Sequence, residues 1–365
     1  MPVLEKIIVQ NFRNIELQEL EFSPNVNCVS GDNGEGKTNL LDAIWYLSMT
    51  KSAFNSSDRY NYRFGCNEFG IAGVYNMENG LSSKIAIKVA EGKKELRRDE
   101  KIYDKLSVHI GEIPIVMVSP SDTLLVSENG EQRRRFFNAL LSQMDRSYLS
   151  DVQNYNRLLA SRNTALRSGS ADPGLYEALD WQLQEYGARI AACRSSAVEK
   201  IAPAAQKYYN LLSSQGEKIW IEYKSDVQKG PLRDLMAASL EKDRILKFTS
   251  VGVQRDDFIF TMDGHPIRKC GSQGQQKSFL VALKFAQYEM MKQRYGFPPI
   301  LLLDDLFDKL DMKRVQNLLK MVSGQDFGQI FLSDSNKVRI EGVLGEIGSG
   351  AVRYEARGGA FTRYE

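Results

Sequence analysis

The chain has few of the residues that build metal sites and disulfide frameworks. Among its 365 residues are four cysteines, none in a C-x-x-C pair, and two histidines, His109 and His265. A structural zinc site and a disulfide framework are therefore not expected. We expect all four cysteines to act as small hydrophobic residues, with Cys28 in a strand.

Long apolar segments and an excess of charge of one sign are also lacking. No run approaches the roughly 18 apolar residues that a membrane span needs, and the N-terminus has no signal-peptide core. We therefore expect a cytoplasmic protein with no membrane partner. The net charge is only +2, so any affinity for nucleic acid must come from local basic patches. With 42% hydrophobic and 26% charged residues, the composition is that of a globular protein with room for two domains, or for one domain with an insertion.

A glycine-rich segment near the start of the chain fits the phosphate-loop motif G-x-x-x-x-G-K-[ST]. Its residues are Gly31, Asp32, Asn33, Gly34, Glu35, Gly36, Lys37 and Thr38. Residues 27–30 are typical of a strand and residues 39–47 of a helix, which is the context that the motif requires. The glycines allow backbone amides to face phosphate oxygens, and the helix adds its positive end. The segment predicts an ATP site in which Lys37 contacts the β- and γ-phosphates and the Thr38 hydroxyl binds Mg²⁺.

Two adjacent carboxylates follow an apolar segment near the other end of the chain. Residues 299–303 are typical of a buried strand, and Asp304 and Asp305 come directly after it. Two acids after a strand often mark only a turn, but the phosphate loop elsewhere in the chain favours a catalytic role. We predict that Asp304 holds Mg²⁺ and that Asp305 orients or polarises the attacking water.

A third segment combines a helix start with small and amide residues. It comprises Ser272, Gln273, Gly274, Gln275 and Gln276, followed by a helical pattern. One interpretation is an N-cap, in which the serine satisfies the first free amides of the helix. The other is an anion site, because the same geometry presents amides and a hydroxyl to a phosphate. Since the chain has only one lysine-bearing loop, a second anion site suggests a nucleotide held by another copy of the chain.

The remaining pattern predicts an α/β fold that is interrupted by a helical block. Strands alternate with helices in both end portions, which favours a parallel core with antiparallel hairpins added to it. Residues 15–30 are predicted to lead as strand into the loop. We divide the chain into an N-terminal part of an ATPase lobe, a mainly helical arm lobe and a C-terminal part of the ATPase lobe, at residues 1–130, 131–245 and 246–365.

Together these segments resemble the motifs of ABC-type ATPases. The loop resembles Walker A, the Ser272 segment the signature, the strand before Asp304 and Asp305 Walker B, and Leu310-Asp311 the D-loop. Their spacing, with a helical interruption, is similar to that of the SMC-like branch that acts on DNA. Within that branch the chain resembles the RecF family over essentially its whole length. The supporting segments are Asn11-Phe12-Arg13-Asn14, Ser119-Pro120, Arg133-Arg134-Arg135-Phe136 and Arg255-Asp256-Asp257.

The resemblance implies a P-loop ABC-type ATPase lobe with a mixed sheet, and an arm lobe inserted between the halves of the nucleotide site. It implies an ATP-dependent homodimer that binds DNA near gaps or single-strand/double-strand junctions. It further implies action with a RecR-type mediator, and in some settings RecO, in loading RecA. ATP would lie between Walker A of one subunit and Ser272 of the other. Arg13 and Asn14 are further nucleotide-binding candidates, and Asp311 is the D-loop residue.

Two positions depart from the family pattern. The family usually has a histidine where this chain has Gln254, and Asp334 stands where transporter-type cassettes have a histidine after the last core strand. Histidine-assisted hydrolysis is therefore not supported, and we expect a weak, DNA-stimulated ATPase that acts as a switch. No residue can be assigned as the glutamine that commonly ligates Mg²⁺ between Walker A and the signature.

Basic residues are candidates for DNA contacts, with a solvated charged surface as the alternative for each. They are Lys51, Arg59, Arg63, Lys84, Lys88, Lys93 and Lys94, and in the helical block Arg157, Arg162 and Arg167. The arginine cluster at residues 133–135 is predicted to pair with acids such as Asp122 or to contact nucleotide. Contacts to phosphates read little sequence, so we predict structure-specific binding.

Two other classes share the nucleotide motifs: the ATPase subunit of a transporter and an ATP-driven DNA nuclease. A transporter cassette needs neither a long helical insertion nor a basic hairpin. The nuclease needs a further acidic metal site, and residues 353–365 are too few to form a nuclease domain. A DNA-linked ATPase is therefore the preferred interpretation.

Overall fold

A computed structural model of the chain describes residues 1–77, 80–128, 130–170, 172–213, 216–306, 314–318, 327–336, 342 and 351–364. Contacts divide the chain into two compact units. The first comprises Met1–Asp122, Leu211–Ser214 and Lys284–Glu365, and the second Thr123–Asn210 and Gln215–Leu283.

The described residues form fifteen strands and eight α-helices. The strands are β1 (Val3–Phe12), β2 (Ile15–Glu21), β3 (Val26–Ser30), β4 (Glu68–Asn76), β5 (Ser82–Ala90), β6 (Lys93–Arg98), β7 (Lys101–Ile102), β8 (Ile115–Val118), β9 (Ile219–Lys224), β10 (Asp257–Met262), β11 (His265–Pro266), β12 (Ile300–Asp304), β13 (Ile330–Asp334), β14 (Val352–Arg357) and β15 (Ala360–Tyr364). The helices are α1 (Lys37–Met49), α2 (Leu124–Ser127), α3 (Gly130–Met144), α4 (Arg146–Ser168), α5 (Pro173–Leu212), α6 (Leu232–Leu246), α7 (Ile267–Cys270) and α8 (Gln273–Tyr295). Residues 314–318 are also helical. Among these helices none is both long enough and apolar enough to cross a membrane.

The first unit contains two six-stranded sheets with α1 in contact with both. One sheet is antiparallel, in the order β2-β1-β4-β5-β6-β7. Helix α1 touches β1 and β4 of this sheet and β12 and β13 of the other. Because it is covered on both sides, its side chains are buried almost all the way round. Phe12, Tyr46 and Phe69 meet edge-to-face in this core, with ring centroids 5.2 to 6.1 Å apart.

The second sheet of this unit carries the two predicted nucleotide motifs. Its order is β15-β14-β3-β13-β12-β8, and all neighbouring pairs are parallel except β14 and β15. β3, β8, β12 and β13 are buried along their whole length, and β8 and β12 accordingly consist almost entirely of apolar residues. The prediction of strand over residues 15–30 combines two elements, because β2 and β3 belong to different sheets.

The second unit is mainly helical and contains one small sheet in the order β11-β10-β9. Residues 246–283, which the sequence assigns to the ATPase lobe, belong to this unit by their contacts. The physical reason is that β10 pairs with β9 along six residues and packs against α3. Phe137 of α3 stacks on Phe258 of β10 with ring centroids 3.8 Å apart. The boundary between the units therefore falls inside α8 and not at residue 245.

A buried arginine joins three helical segments of the second unit. Arg162 of α4 has no exposed side-chain surface and lies 2.7 Å from both Asp180 of α5 and Asp243 of α6. It also donates to the Thr249 hydroxyl at 2.9 Å. Arg162 therefore cannot contact DNA, and its prediction as a DNA ligand is wrong. The cation holds the helices together because each carboxylate depends on it for charge compensation.

Removing this cation should destabilise the second unit strongly. We expect Arg162→Met to lower the free energy of unfolding by about 3–5 kcal/mol at pH 8, measured by urea denaturation, because two carboxylates remain buried without their partner. Arg189→Met is the matched control. Its ion pair with Asp151 leaves half of the arginine side chain exposed, so the loss should stay below about 1 kcal/mol.

The loss should also depend on pH. Burial raises the pKa of Asp180, and the ion pair with Arg162 opposes that rise. Without the arginine, the pKa in the folded state lies further above the value in the unfolded chain, so the folded state gains protons more readily. The destabilisation should therefore be smaller at pH 5 than at pH 8. Equal losses at the two pH values would contradict the assigned role of Arg162.

Candidate nucleotide site

The phosphate loop joins the buried strand β3 to the first turn of α1. Lys37 opens the helix, and its ammonium donates to the carbonyl oxygens of Gly31 and Asp32 at 2.8 and 3.0 Å. The side chain thus lies across its own loop. Residues 32–34 are exposed, whereas Gly36 and Lys37 are buried. Residues 32–34 of the loop are therefore accessible to a ligand, whereas Gly36 and Lys37 are packed in the protein interior.

The two predicted motifs meet at Thr38 and Asp304. The Thr38 hydroxyl lies 3.0 and 2.9 Å from the two carboxylate oxygens of Asp304. Ser333, at the end of β13, donates to the same carboxylate at 2.7 Å. Burial raises the pKa of Asp304, while the hydrogen bonds from Ser333 and Thr38 lower it in part. The carboxylate is held in place by two hydroxyls, one in the first turn of α1 and the other near the carboxyl end of β13, the strand beside β12.

Asp305 adopts a backbone conformation that is unusual for an aspartate. Its φ is +41°, in the left-handed region. The backbone amide donates to the carbonyl oxygen and to the hydroxyl of Ser333, at 3.2 and 3.1 Å. Such strain costs about 1–3 kcal/mol and is typical of functional positions. The side chain is only half-buried, so it is accessible beside the fixed Asp304.

Ser333 is a site residue that the sequence predictions do not include. The sequence contains a signal for it, because the apolar residues that precede Ser333 are typical of a strand and parallel strands end at one edge of a sheet. The serine could then have been placed beside Asp304. The sequence does not show the order of the strands in the sheet, which places β13 next to β12.

The turn of the C-terminal hairpin packs against the phosphate loop. The backbone amide of Gly359 donates to the Glu35 carbonyl at 2.9 Å, and that of Gly358 donates to the Glu35 carboxylate. A Cβ added at Gly31 would lie 2.5 Å from the carbonyl oxygen of Ala356. The loop is therefore supported from the side by β14 and the turn that follows it. Gly358-Gly359 between two strand-like segments indicates such a hairpin in the sequence, but nothing in the sequence connects the hairpin with the loop.

Arg13 and Asn14 lie behind the loop. Arg13 forms an ion pair with the buried Asp42 of α1 and donates to the Asn39 side chain at 2.8 Å. Asn39 in turn donates to Asn14 at 2.7 Å. Burial raises the pKa of Asp42, and Arg13 opposes that rise. These contacts fix the first turns of α1 and support the loop, and direct contact of Arg13 or Asn14 with a nucleotide stays a prediction.

The signature segment forms a reciprocal cap at the start of α8. The Ser272 hydroxyl accepts from the Gln275 amide at 3.2 Å, and the Gln275 side chain accepts from the Ser272 amide at 2.8 Å. Gln276 donates to the Gly271 carbonyl at 2.8 Å. Ser272 and Gln273 are nevertheless exposed. The cap orders the segment and leaves the serine accessible.

Three further predictions have different outcomes. Arg133 pairs with Asp257 at 2.8 Å, whereas Asp122 pairs with Lys284 at 2.7 Å, so the predicted pairing of the arginine cluster with Asp122 is wrong. Cys28 is buried in β3, but Cys270 is exposed and does not act as a small core residue. Asp311 lies outside the described residues.

The candidate DNA contacts of the first part of the chain differ in availability. Lys94 is the least suited, because its ammonium lies 2.9 Å from Asp58 and donates to the Thr50 carbonyl. Three others lie in surface ion pairs, which are weak and readily exchanged: Arg63 with Glu16, Lys84 with Glu100, and Lys88 with Glu68. Lys51, Arg59 and Lys93 are exposed. As DNA ligands these residues stay predictions.

The oxygen atoms at Thr38 and Asp304 fit Mg²⁺. This ion is usually held by one or two protein oxygens, with water and phosphate oxygens completing the octahedron. The described residues contain no group of three or more His, Cys, Asp and Glu side chains that could hold a metal by itself. A single carboxylate beside a hydroxyl suits an ion that is shared with a nucleotide.

Known proteins resemble this chain over nearly all of its length. The AAA domain family matches residues 6–217. The DNA replication and repair protein RecF of Parabacteroides distasonis is 42% identical over 342 residues, covering 94% of both chains. The RecF protein of Bacteroides fragilis is 37% identical over 365 residues, covering 100% of this chain and 99% of the relative. The chain belongs to the RecF family. Predictions of a transporter subunit or a nuclease are therefore set aside.

Solved structures agree with the RecF assignment. A structure described as the recombination mediator protein RecF-ATP in the RecFOR pathway superposes with a TM-score of 0.89 at 29% identity, covering 100% of this chain and 98% of that one. The Smc head domain of Pyrococcus furiosus gives a TM-score of 0.58 at 15% identity, which bears on the fold alone. The chain thus has an α/β P-loop ABC-type ATPase fold with a mixed sheet and an inserted helical portion, as predicted.

The hairpin turn offers a test of how the loop is supported. We expect Gly359→Ala to lower the free energy of unfolding by about 1–3 kcal/mol more than Gly358→Ala, measured by urea denaturation. Both glycines have positive φ, +86° and +57°, so both variants carry backbone strain. Only at Gly359 would the new Cβ meet another atom, 2.2 Å from the Asn14 carbonyl oxygen. If both variants lose the same free energy of unfolding, the turn does not pack closely against Asn14.

Proposed function

We propose that this RecF-family chain is an ATP-dependent DNA-binding protein of recombinational repair and replication maintenance. The observation that carries the proposal is the meeting of Thr38 with Asp304, which joins a phosphate loop to its acidic partner. Relatives over the whole length are DNA replication and repair proteins, and a similar structure is described as holding ATP. The site of action would be the cytoplasm, where bacterial DNA lies.

The residues of the loop would divide the binding of ATP between them. The ammonium of Lys37, now bonded to loop carbonyls, is close enough to the loop to transfer to the β- and γ-phosphates. The backbone amides of residues 32–36 and the start of α1 would face the phosphate oxygens. Thr38 and Asp304 would hold Mg²⁺, which neutralises phosphate charge when it is bound. The pKa of Asp304 is raised by burial, so a positive charge nearby favours its ionised form.

Asp305 would orient the attacking water. Its half-buried carboxylate follows directly after Asp304, and the amide bonds to Ser333 hold its strained backbone in place. A water held by this carboxylate can pass a proton to it as the bond to the γ-phosphate forms. Since no histidine stands at position 334, we propose slow hydrolysis, stimulated by DNA, that acts as a switch.

The second half of the site would come from another copy of the chain. Ser272 is exposed at the start of α8 and belongs to a different unit of the chain from the phosphate loop. Its hydroxyl and the amides of residues 273 and 274 are suited to a γ-phosphate that is presented from outside. ATP would then join two subunits, with Lys37 acting in its own subunit and Ser272 across the interface. The D-loop residue Asp311 would lie at the same interface.

The ATP-bound dimer would clamp DNA at gaps or single-strand/double-strand junctions. Basic residues such as Arg59 and Lys93 supply salt-dependent contacts to phosphates, without reading sequence. A RecR-type mediator, with RecO in some settings, would then load RecA, and hydrolysis would release the protein. The reference to the RecFOR pathway in a similar structure supports these partners. Binding energy that depends on the γ-phosphate makes ATP a population switch.

Dimerisation by ATP can be tested by sedimentation of three variants. We expect Lys37→Ala to weaken ATP binding more than about 100-fold, because charge-assisted bonds to two phosphates are lost. Ser272→Ala should bind ATP as a monomer with near wild-type affinity but should not dimerise. Cys270→Ser is the matched control, since this exposed residue lies two positions before Ser272, and it should dimerise normally. A wild-type protein that stays monomeric with ATP and gapped DNA would rule out the clamp.

Hydrolysis can be separated from binding at Asp305. We expect Asp305→Asn to lower the ATPase rate by about 10²–10⁴-fold, because the amide cannot accept the proton of the attacking water. Since the γ-phosphate then persists, the dimer should remain on gapped DNA after ATP is added. Phosphate release and sedimentation report the two effects. A variant that hydrolyses ATP at the wild-type rate would remove Asp305 from the mechanism.

A further inference from the structure

The second unit contains a cavity of about 310 Å³ that the proposed function does not use. Its charged lining consists of three arginines, Arg134, Arg135 and Arg194, and one carboxylate, Glu131. Tyr155, Asn156 and Gln254 are among the other polar residues. Small-molecule sites commonly begin at about this volume and combine apolar walls with a few polar groups. Here the apolar part includes Val152 and Ile190.

The arginines of this cavity differ in how they are compensated. Arg194 is buried and pairs with Asp256 at 2.5 Å, and it also donates to the Val253 carbonyl at 2.8 Å. Arg135 pairs with Glu131 at the surface. Both of these guanidinium groups therefore already have a carboxylate partner.

Arg134 forms no direct ion pair in the part of the chain that the structure describes, although the carboxylates of Asp257, Asp256 and Glu131 lie near enough to act on its charge. Its one hydrogen bond goes to the backbone carbonyl of Asp256 at 2.7 Å. A guanidinium carries five N–H donors, so most of them are left for another acceptor. Arg134 is half-buried. Burial and the charge of Arg194 lower its pKa, and the nearby carboxylates of Asp257, Asp256 and Glu131 oppose this only in part. The protein thus holds a partly desolvated cation that the nearby carboxylates do not fully compensate, an arrangement that an anion would relieve.

The chemistry of the anion follows from the shape of the donors. A planar guanidinium with free N–H groups on one edge forms paired hydrogen bonds with phosphate oxygens. The amides of Asn156 and Gln254 and the ring of Tyr155 could contact the remainder of a small ligand. We propose that this cavity binds a phosphate group, either as the free anion or as part of a small phosphate ester, with Arg134 as its main ligand.

The test uses the full chain with Lys37→Ala, so that the phosphate loop cannot contribute. Inorganic phosphate, pyrophosphate and adenosine monophosphate are titrated by calorimetry without Mg²⁺. We expect saturable binding of at least one of them, and a rise in Tm with its concentration. Tighter binding of adenosine monophosphate than of phosphate would assign a phosphate ester, and the reverse would assign the free anion. Absence of saturable binding for all three probes overturns the proposal.

Adding Arg134→Gln to this background should weaken binding at least tenfold. The matched control is Arg157→Gln, an exposed arginine of α4 outside the cavity, which should leave affinity unchanged. Equal losses for the two variants would also overturn the proposal. Circular dichroism and Tm check folding. Because the background lacks Lys37, these results are independent of the outcome for the ATP-dependent dimer.

A second variant covers the case in which Arg134→Gln does not fold. Asn156 is exposed at the rim, so Asn156→Asp should fold normally and place a negative charge at the cavity. Repulsion should then weaken phosphate binding at least threefold at low salt, and high salt should reduce the difference. An unchanged affinity would contradict a phosphate site. If Lys37→Ala itself is unstable, wild-type protein saturated with a non-hydrolysable ATP analogue replaces it as the background.

Discussion

The hydrogen bonds between Thr38 and Asp304 are the constraint on which the nucleotide site depends. These residues lie 266 positions apart, yet their side chains are within 3.0 Å. The contact requires β3 and β12 to lie in one sheet with β13 between them. Two other features adjoin this contact: Ser333 donates a hydrogen bond to Asp304, and the C-terminal turn supports the phosphate loop. The cost of closing a long loop grows only slowly with its length, so a helical unit can be inserted between the two halves.

Features that depend on local sequence could be predicted well. The strand, loop and helix around Lys37 follow from glycine positions and apolar periodicity, and α8 (Gln273–Tyr295) begins at the predicted helix start after Ser272. The N-cap at Ser272 is likewise a local matter, because serine and Gln275 satisfy each other within one helical turn. The family resemblance added the pairing of these segments into one ATPase fold, which periodicity alone does not supply.

Features that depend on distant partners could not be predicted. The sequence suggests Asp122 as the partner of Arg133, but the structure pairs Arg133 with Asp257. This pairing results from the packing of α3 on β10, which the sequence does not show. Arg162 reads as one more basic residue of a helical face, although it is the buried centre of three helices. Residues 246–283 look like a continuation of the ATPase lobe because their strand and hairpin resemble its own. In each case the missing information is which elements become neighbours.

The position of β3 between β13 and β14 determines when its sheet can form during synthesis of the protein. The strand is among the first on the chain, but its neighbours β13 and β14 are among the last. Until the ribosome has synthesised β13 and β14, β3 and the phosphate loop have no partner strands in the sheet. The second unit is encoded between them and can mature earlier. Competence to bind nucleotide therefore appears only near the end of synthesis, so a truncated product would lack it.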